Sequence, residues 1–136
     1  FELLGVGGGD PWQVAAQALG PDLKLLAVTL GPRGAAYVAA MDFEPDPFRW
    51  RRGDALSRAG SARSGRVPLD GLPRQGDPTG CGDVFGSTLV SGLLAGLGLE
   101  PAVAAANRMA RRNVRYRGAT GLQQFLRGGL AQARSA

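Results

Sequence analysis

The sequence predicts an α/β fold, in which helices pack on a β-sheet. A helical segment near the N-terminus is followed by two short apolar runs with the length of strands, and two longer helical segments follow in the second half of the chain. This mixture of elements is typical of layered α/β domains. At 136 residues, the chain has the length of one domain and can bury a hydrophobic core.

The first part of the chain predicts a helix and two strands. In "DPWQVAAQAL", Asp10 can cap the helix, Pro11 suits its first position, and the Gly-Pro pair that follows ends it. Residues 23–31, "LKLLAVTLG", form an apolar run typical of a strand buried on both faces. "GPRG" predicts a turn, and "AAYVAA" at residues 35–40 predicts a second strand.

The rest of the chain predicts an exposed middle segment and a helical second half. "FRWRR" at residues 48–52 alternates like a strand with one wet face, and residues 53–66 are small, polar and basic, as in an exposed loop. Helices are predicted over residues 84–97 and 101–116. The turn "RGATG" follows, and then a terminal helix, "LQQFLRGGLAQAR", that its glycine pair weakens.

The helix predicted over residues 101–116 has two different faces. Its apolar stripe consists of Val103, Ala106, Ala110 and Val114. Four arginines lie mostly off this stripe and predict a solvated face: Arg108, Arg111, Arg112 and Arg115. Asn107 lies at the edge of the apolar face, where the pattern alone predicts an amide bonded to a neighbouring loop.

The composition excludes several classes of protein. One cysteine excludes an internal disulfide framework, and the lack of histidine excludes a Cys/His zinc site. The N-terminal residues have no basic stretch ahead of their apolar residues, so they do not resemble a signal peptide. No run reaches the about 20 mostly apolar residues of a membrane span. These features predict a cytoplasmic protein that does not enter a membrane.

The net charge of +5 comes almost wholly from arginine, since Lys24 is the only lysine. Arginine suits the recognition of phosphates, carboxylates and nucleic acids, but it also serves as a general solubilising charge. We favour the second interpretation and expect no binding to nucleic acid, because no aromatic residues are interleaved with the arginines.

The stretch "DPTGCGD" at residues 77–83 combines a flexible turn with the start of a helix. The first N–H groups of a helix have no partner inside it, and the helix dipole makes that end partly positive. If Gly80, Cys81 and Gly82 lead into the helix, their N–H groups form an anion-binding hole. The glycines permit close approach of the anion and a positive φ.

Asp83 has two interpretations in this setting. At a helix start it can serve as an N-cap. In an anion site it can instead accept the proton of a hydroxyl that attacks a bound phosphoryl group, which is the general base of a kinase. The spacing alone leaves both open. The stretch is not the G-x-x-x-x-G-K-S/T pattern, because no lysine follows it.

"DPTGCGD" resembles the D-T-x-G-A-G-D motif of the ribokinase-type (pfkB) carbohydrate kinases. "VTLGPRG" at residues 28–34 is similar to the same family's strand-end V-T-x-G-x-x-G element. "AANRMA" and "RGATG" resemble the helix asparagine and the Gly-Ala turn near the family's adenine and cation sites. Three elements in the same order, spread over residues 28–121, carry the resemblance.

The resemblance implies a ribokinase-like fold with a parallel-sheet core and a set of roles for individual residues. Asp83 would be the catalytic base, and the N–H groups of Gly80, Cys81 and Gly82 would stabilise the transferring phosphoryl group. The residues implied along the nucleotide are Thr29, Gly31, Gly34 and Asn107. Those implied near a monovalent cation, often potassium, are Asp77 and Ala119. ATP would be the phosphoryl donor and would bring Mg²⁺ with it.

The chain also departs from the family's pattern. Pro78 replaces a threonine and lacks an N–H, although it keeps its carbonyl. Cys81 replaces an alanine, and we expect it to be a small packed residue. The segment between Gly34 and Asp77 is longer than in typical relatives, and its arginines have no assigned role.

The resemblance further implies that residues 1–136 are the C-terminal, nucleotide-binding part of a kinase domain. The family's sugar-binding elements and lid do not occur in the chain, so we expect the chain alone to be a poor enzyme. A missing N-terminal half or a homodimer would complete it, and the acceptor would be a small sugar or nucleoside. The alternative function is a nucleotide-binding or regulatory fragment without catalysis.

Overall fold

The computed structural model describes residues 11–20, 23–46, 62–69, 71 and 76–116. The elements in these residues are α1 (Pro11–Ala18), β1 (Leu25–Thr29), β2 (Ala35–Ala40), β3 (Ala62–Val67), α2 (Cys81–Leu94) and α3 (Leu99–Asn113), with a short 3₁₀ turn at Gly31–Arg33. The predicted first helix, the first two strands and the two central helices are therefore confirmed. Asp10, the "FRWRR" segment, the "RGATG" turn and the terminal helix lie outside the described residues.

The three described strands form one antiparallel sheet in the order β1-β2-β3. The parallel arrangement that we expected is not found among them. The reason lies in the connection, because residues 30–34 join β1 directly to β2 through the 3₁₀ turn. A parallel pair needs a crossover of a dozen or more residues, whereas a short turn allows only an antiparallel hairpin.

The strand β3 corrects the last part of the loop expected over residues 53–66, since residues 62–66 belong to the strand and residues 53–61 lie outside the described residues. It pairs with β2 from Ala35 opposite Val67 to Ala40 opposite Ala62. Most of its side chains are exposed, so its polar composition is that of an edge strand with a wet face. Gly65 lies opposite Tyr37, whose ring fills the space where a side chain at residue 65 would be.

The core lies between the sheet and the helices α2 and α3. Strand β2 is the most deeply buried, since every residue except Tyr37 is buried. The strand β1 is half-buried and its last residue, Thr29, is exposed, so the strand buried on both faces is β2 rather than β1. The buried core residues are Ala35, Ala39, Phe43, Phe85, Leu89, Leu93, Leu99, Ala102, Val103 and Ala106.

Both central helices begin earlier than predicted. Helix α2 begins at Cys81, directly after Gly80, which adopts the left-handed conformation with φ of 77°. Helix α3 begins at Leu99, and its predicted apolar stripe is confirmed, with Val103 and Ala106 buried. No helix in the described part of the chain is long and apolar enough to cross a membrane.

Gly34, which directly precedes β2, does not tolerate a side chain. Its φ is 91°, and a Cβ there would overlap the carbonyl oxygen of Val67. We expect Gly34→Ala to lower the free energy of unfolding by about 1–3 kcal/mol, because the residue would add strain and push β3 away. Urea denaturation of the purified protein measures this change.

Gly86→Ala is the matched control. Gly86 lies inside α2, and a Cβ there would meet no atom within 4 Å. Since alanine favours a helix over glycine, this variant should gain up to about 1 kcal/mol in stability. Equal effects of the two substitutions would contradict the packing described for Gly34.

Candidate functional site

A cavity of about 510 Å³ lies where the β1–β2 turn, α3 and the start of α2 meet. Its volume is within the range of roughly 300–1,000 Å³ that is typical of small-molecule sites. The residues that line it are Thr29, Gly31, Pro32, Gly34, Leu69, Gly76, Pro78, Cys81, Gly82, Phe85, Asn107, Ala110, Arg111 and Val114. Most of this lining is apolar.

The cavity brings together six of the residues that the sequence marked as site residues. Four come from the predicted nucleotide set: Thr29, Gly31, Gly34 and Asn107. Two come from the glycine-rich turn: Cys81 and Gly82. Gly80, Asp77 and Asp83 do not line it, and Ala119 lies outside the described residues. Two sequence elements that are far apart along the chain therefore share one cavity.

Asn107 forms part of the α3 wall of this cavity. Its side chain is buried, and Nδ2 donates a hydrogen bond of 2.9 Å to the backbone carbonyl of Val67. The pattern predicted a bond to a neighbouring loop, whereas the acceptor belongs to Val67, the last residue of β3. Asn107 also fixes the distance between α3 and the sheet, at the point where Gly34 approaches Val67.

The turn before α2 has a defined hydrogen-bond pattern. The carboxylate of Asp77 accepts a bond of 2.9 Å from the N–H of Thr79, and the N–H of Cys81 donates to the carbonyl of Pro78 over 3.1 Å. The first helical bond runs from Val84 to the carbonyl of Gly80. Of the N–H groups expected to form an anion hole, that of Cys81 is therefore used inside the turn.

The N–H groups of Gly82 and Asp83 remain at the start of α2. No carbonyl inside the helix is placed to accept from them, because both residues lie in its first turn. Gly82 lines the cavity, and a Cβ there would meet no atom within 4 Å. The helix start consequently presents a partly positive end to the cavity.

Asp83 is the third residue of α2 and its side chain is exposed. The helix is capped by Gly80 without any side-chain bond, so the interpretation of Asp83 as an N-cap is wrong. The physical reason is that the helix begins before Asp83 rather than at it. Asp83 follows Gly82 in the first turn of the helix, at its positive end, where negative charge is favoured.

Three hydrogen bonds hold the turn against the end of α3. The side chain of Asn113 is fully buried, and Nδ2 donates to the carbonyl of Thr79 over 3.0 Å. The N–H of Asp77 donates to the carbonyl of Val114 over 3.0 Å. The thiol of Cys81 donates to the carbonyl of Ala110 over 3.4 Å, so this cysteine is packed as expected.

Two residues of α3 were missed by the sequence reasoning. Asn113 lies three residues after Ala110, on the buried side of α3. An amide at a buried position needs a hydrogen-bond partner, and this requirement could have identified Asn113 from the sequence. Arg111 was assigned to a solvated face, but it is half-buried and lines the cavity, one helical turn after Asn107. The neighbouring Arg108, Arg112 and Arg115 are exposed, as predicted.

Asp77 is the acidic residue that the resemblance relates to a monovalent cation, and its side chain is half-buried. Its Oδ1 accepts from Thr79, and the carbonyls of Pro78 and Thr79 each accept one hydrogen bond. A carbonyl oxygen has a second lone pair, so these oxygens retain the capacity to bind a hard cation. Within the described ranges, no group of three or more His, Cys, Asp or Glu side chains forms a metal site.

The hydrogen bond from Asn113 to the carbonyl of Thr79 provides a test of what holds the Asp77–Cys81 turn in place. We expect Asn113→Ala to lower the free energy of unfolding by about 1–3 kcal/mol, because it leaves the carbonyl of Thr79 without this donor and opens a small cavity. Hydrogen exchange should also accelerate at the amides of residues 79–84. The exposed Arg108→Ala on the same helix is the control, with a change within about 0.5 kcal/mol. Unchanged exchange at the turn would contradict this role.

The comparisons with known proteins give one family. The sequence model of the pfkB family of carbohydrate kinases matches residues 2–124, a range that includes all the helices and strands described above. No curated protein matches the chain. Since the family match covers far more than half of the sequence and includes both glycine elements of the cavity, the chain belongs to the pfkB family of carbohydrate kinases.

Proposed function

We propose that this chain binds ATP and carries the base for phosphoryl transfer to a hydroxyl of a sugar or nucleoside. The observation that carries the proposal is the shared cavity. The "VTLGPRG" turn and the start of α2, which the resemblance relates to the nucleotide and the phosphoryl group, line the same 510 Å³ space. Family membership supports the carbohydrate kinase class of the reaction.

The chemistry of the cavity suits a nucleotide. The apolar part of the lining, which includes Leu69, Phe85 and Val114, suits a planar base. The start of α2 with the N–H of Gly82 suits a phosphate, because a helix N-terminus attracts negative charge. Gly31 leaves room for a ligand to approach the backbone of the β1–β2 turn, because a Cβ there would meet no atom within 4 Å.

Asp83 would act on the acceptor rather than on the nucleotide. Its exposed carboxylate can take the proton of the attacking hydroxyl while the new O–P bond forms and the bond from phosphorus to the ADP oxygen breaks. The N–H groups of Gly82 and Asp83 would stabilise the negative charge on the transferring group. Gly80 contributes the left-handed turn that sets the direction of α2.

The metal ions of the proposal have different sites. Mg²⁺ would be held chiefly by the phosphates and water, and it would neutralise charge on the nucleotide. A monovalent cation such as K⁺ would be held by the carboxylate of Asp77 and carbonyls of its turn, with the Ala119 region as a further candidate. It would reinforce the positive field at the helix start.

We propose further that the chain is the C-terminal part of the kinase fold. The unpaired edge of β1 supports this, since β1 lies at one end of the described sheet and is only half-buried. Parallel strands from an N-terminal half, or from a second copy, would extend the sheet at that edge and supply the acceptor pocket. We propose a cytoplasmic location for this protein, where ATP is available to it.

The second candidate function is nucleotide binding without catalysis, in a regulatory module. The position of Asp83 supports this second function, because Asp83 does not line the cavity. A ligand can therefore occupy the cavity whether or not phosphoryl transfer takes place. The two functions differ in turnover and not in nucleotide affinity.

Asp83→Asn is the test of the proposed base. In the protein as encoded, including any residues that precede Phe1, we expect turnover with a panel of sugars and nucleosides to fall by at least about 10²-fold. ATP affinity should change little, since the substitution leaves the cavity lining intact. Coupled ADP-release assays and calorimetric titration with Mg-ATP measure the two quantities.

Glu100→Gln is the matched control, because Glu100 is an exposed acid in the first turn of α3. It should leave both turnover and affinity unchanged. Full turnover in Asp83→Asn would refute the assignment of the base. Nucleotide binding with no turnover in the wild-type protein, even after addition of a separately expressed N-terminal half, would favour the regulatory module.

A further inference from the structure

Arg111 is distinguished from the other arginines of α3 by where its side chain lies. Arg108, Arg112 and Arg115 are exposed, whereas Arg111 is half-buried and lines the cavity. It follows Asn107 by one helical turn, so both side chains belong to the same wall. Neither the glycine elements nor the family match assigns a role to this residue.

The guanidinium of Arg111 extends from α3 toward the segment after β3. A Cβ built on Gly71 would lie 3.5 Å from Nη2 of Arg111, so the side chain spans from the helix to this segment. Arg111 therefore connects the α3 wall of the cavity with the segment that follows β3.

Arg111 brings a charged side chain to the lining of the cavity. Among the described lining residues, Arg111 is the single arginine, and no lysine, aspartate or glutamate lines the space with it. The start of α2 adds partial positive charge through the N–H of Gly82. A basic side chain and a partly positive helix end, on separate elements, thus line one mostly apolar cavity.

We propose that Arg111 binds the phosphate chain of the nucleotide in this cavity. This inference rests on the proposed function, since it names the part of the ligand that one residue contacts. A guanidinium offers forked N–H donors that match two phosphate oxygens, and the helix start offers a second anchor for the same chain. Arg111 then favours ligands with several phosphates over the nucleoside alone.

Three variants of the protein as encoded test the proposal. Arg111→Gln removes the charge, Arg111→Lys keeps the charge but loses the forked geometry, and Arg108→Gln removes an exposed charge from the same helix. Calorimetric titrations use ATP, inorganic tripolyphosphate and adenosine. Thermal melting compares the folding of each variant with that of the wild type. If Arg111→Gln does not fold, the titrations of Arg111→Lys test the proposal.

We expect Arg111→Gln to bind ATP and tripolyphosphate about 10- to 100-fold more weakly and adenosine with unchanged affinity. Arg111→Lys should show a smaller loss with the same ligand pattern, and Arg108→Gln should bind like the wild type. Equal losses for ATP and adenosine would overturn the proposal, because they would indicate contact with the base or a general packing role. Unchanged ATP affinity in Arg111→Gln and Arg111→Lys would overturn it too.

The same titrations distinguish a failure of the proposed function from a failure of the Arg111 proposal. If the wild type bound tripolyphosphate in an Arg111-dependent way but did not bind ATP, the nucleotide site would be refuted and the anion-binding role of Arg111 would remain. If it bound neither ligand, both proposals would be refuted.

Discussion

The candidate site depends on the attachment of one turn to the end of one helix. Asn113, the carbonyl of Val114 and the carbonyl of Ala110 hold the Asp77–Cys81 turn through three hydrogen bonds. Gly76 approaches Val114 so closely that a Cβ there would overlap its atoms. Because the direction of α2 is set by this turn, the N–H of Gly82 and the carboxylate of Asp83 are positioned by contacts that lie outside α2 itself. A buried hydrogen bond from a side-chain amide costs more to break than an exposed one.

Helix α3 plays the same part for the other half of the cavity. Asn107 holds the end of β3 through the carbonyl of Val67, and Asn113 holds the turn before α2 through the carbonyl of Thr79. Two buried amides on one helix therefore fix the spacing between the β1–β2 turn and the start of α2. The lining residues of α3 lie between these two bonds or directly after them. A change in the length or rotation of α3 would separate the two glycine elements without altering either of them.

The sequence was sufficient for features that depend on near neighbours along the chain. The proline at the start of α1, the short apolar runs of β1 and β2 and the stripe of Val103 and Ala106 each produced the element expected of it. The strand β3 was missed because its polar edge composition resembles a loop, and its identity depends on pairing with β2. Arg111 could not be separated from its neighbouring arginines, since the packing of α3 decides which one faces the cavity. The glycines that the resemblance relates to a nucleotide line one cavity, but the resemblance could not show the hydrogen bond of Asn113.

The geometry of a helix start is compatible with the two molecules of the proposed reaction. Successive residues of an α-helix point about 100° apart, since 3.6 residues complete a turn. Gly82 and Asp83 are successive, and only the first lines the cavity. An anion held by the N–H groups and a hydroxyl that approaches Asp83 would therefore reach the same helix end from different sides. In-line transfer is compatible with this arrangement, because the attacking oxygen and the leaving oxygen must lie on opposite sides of the phosphorus. The order glycine then aspartate therefore suits the proposed reaction.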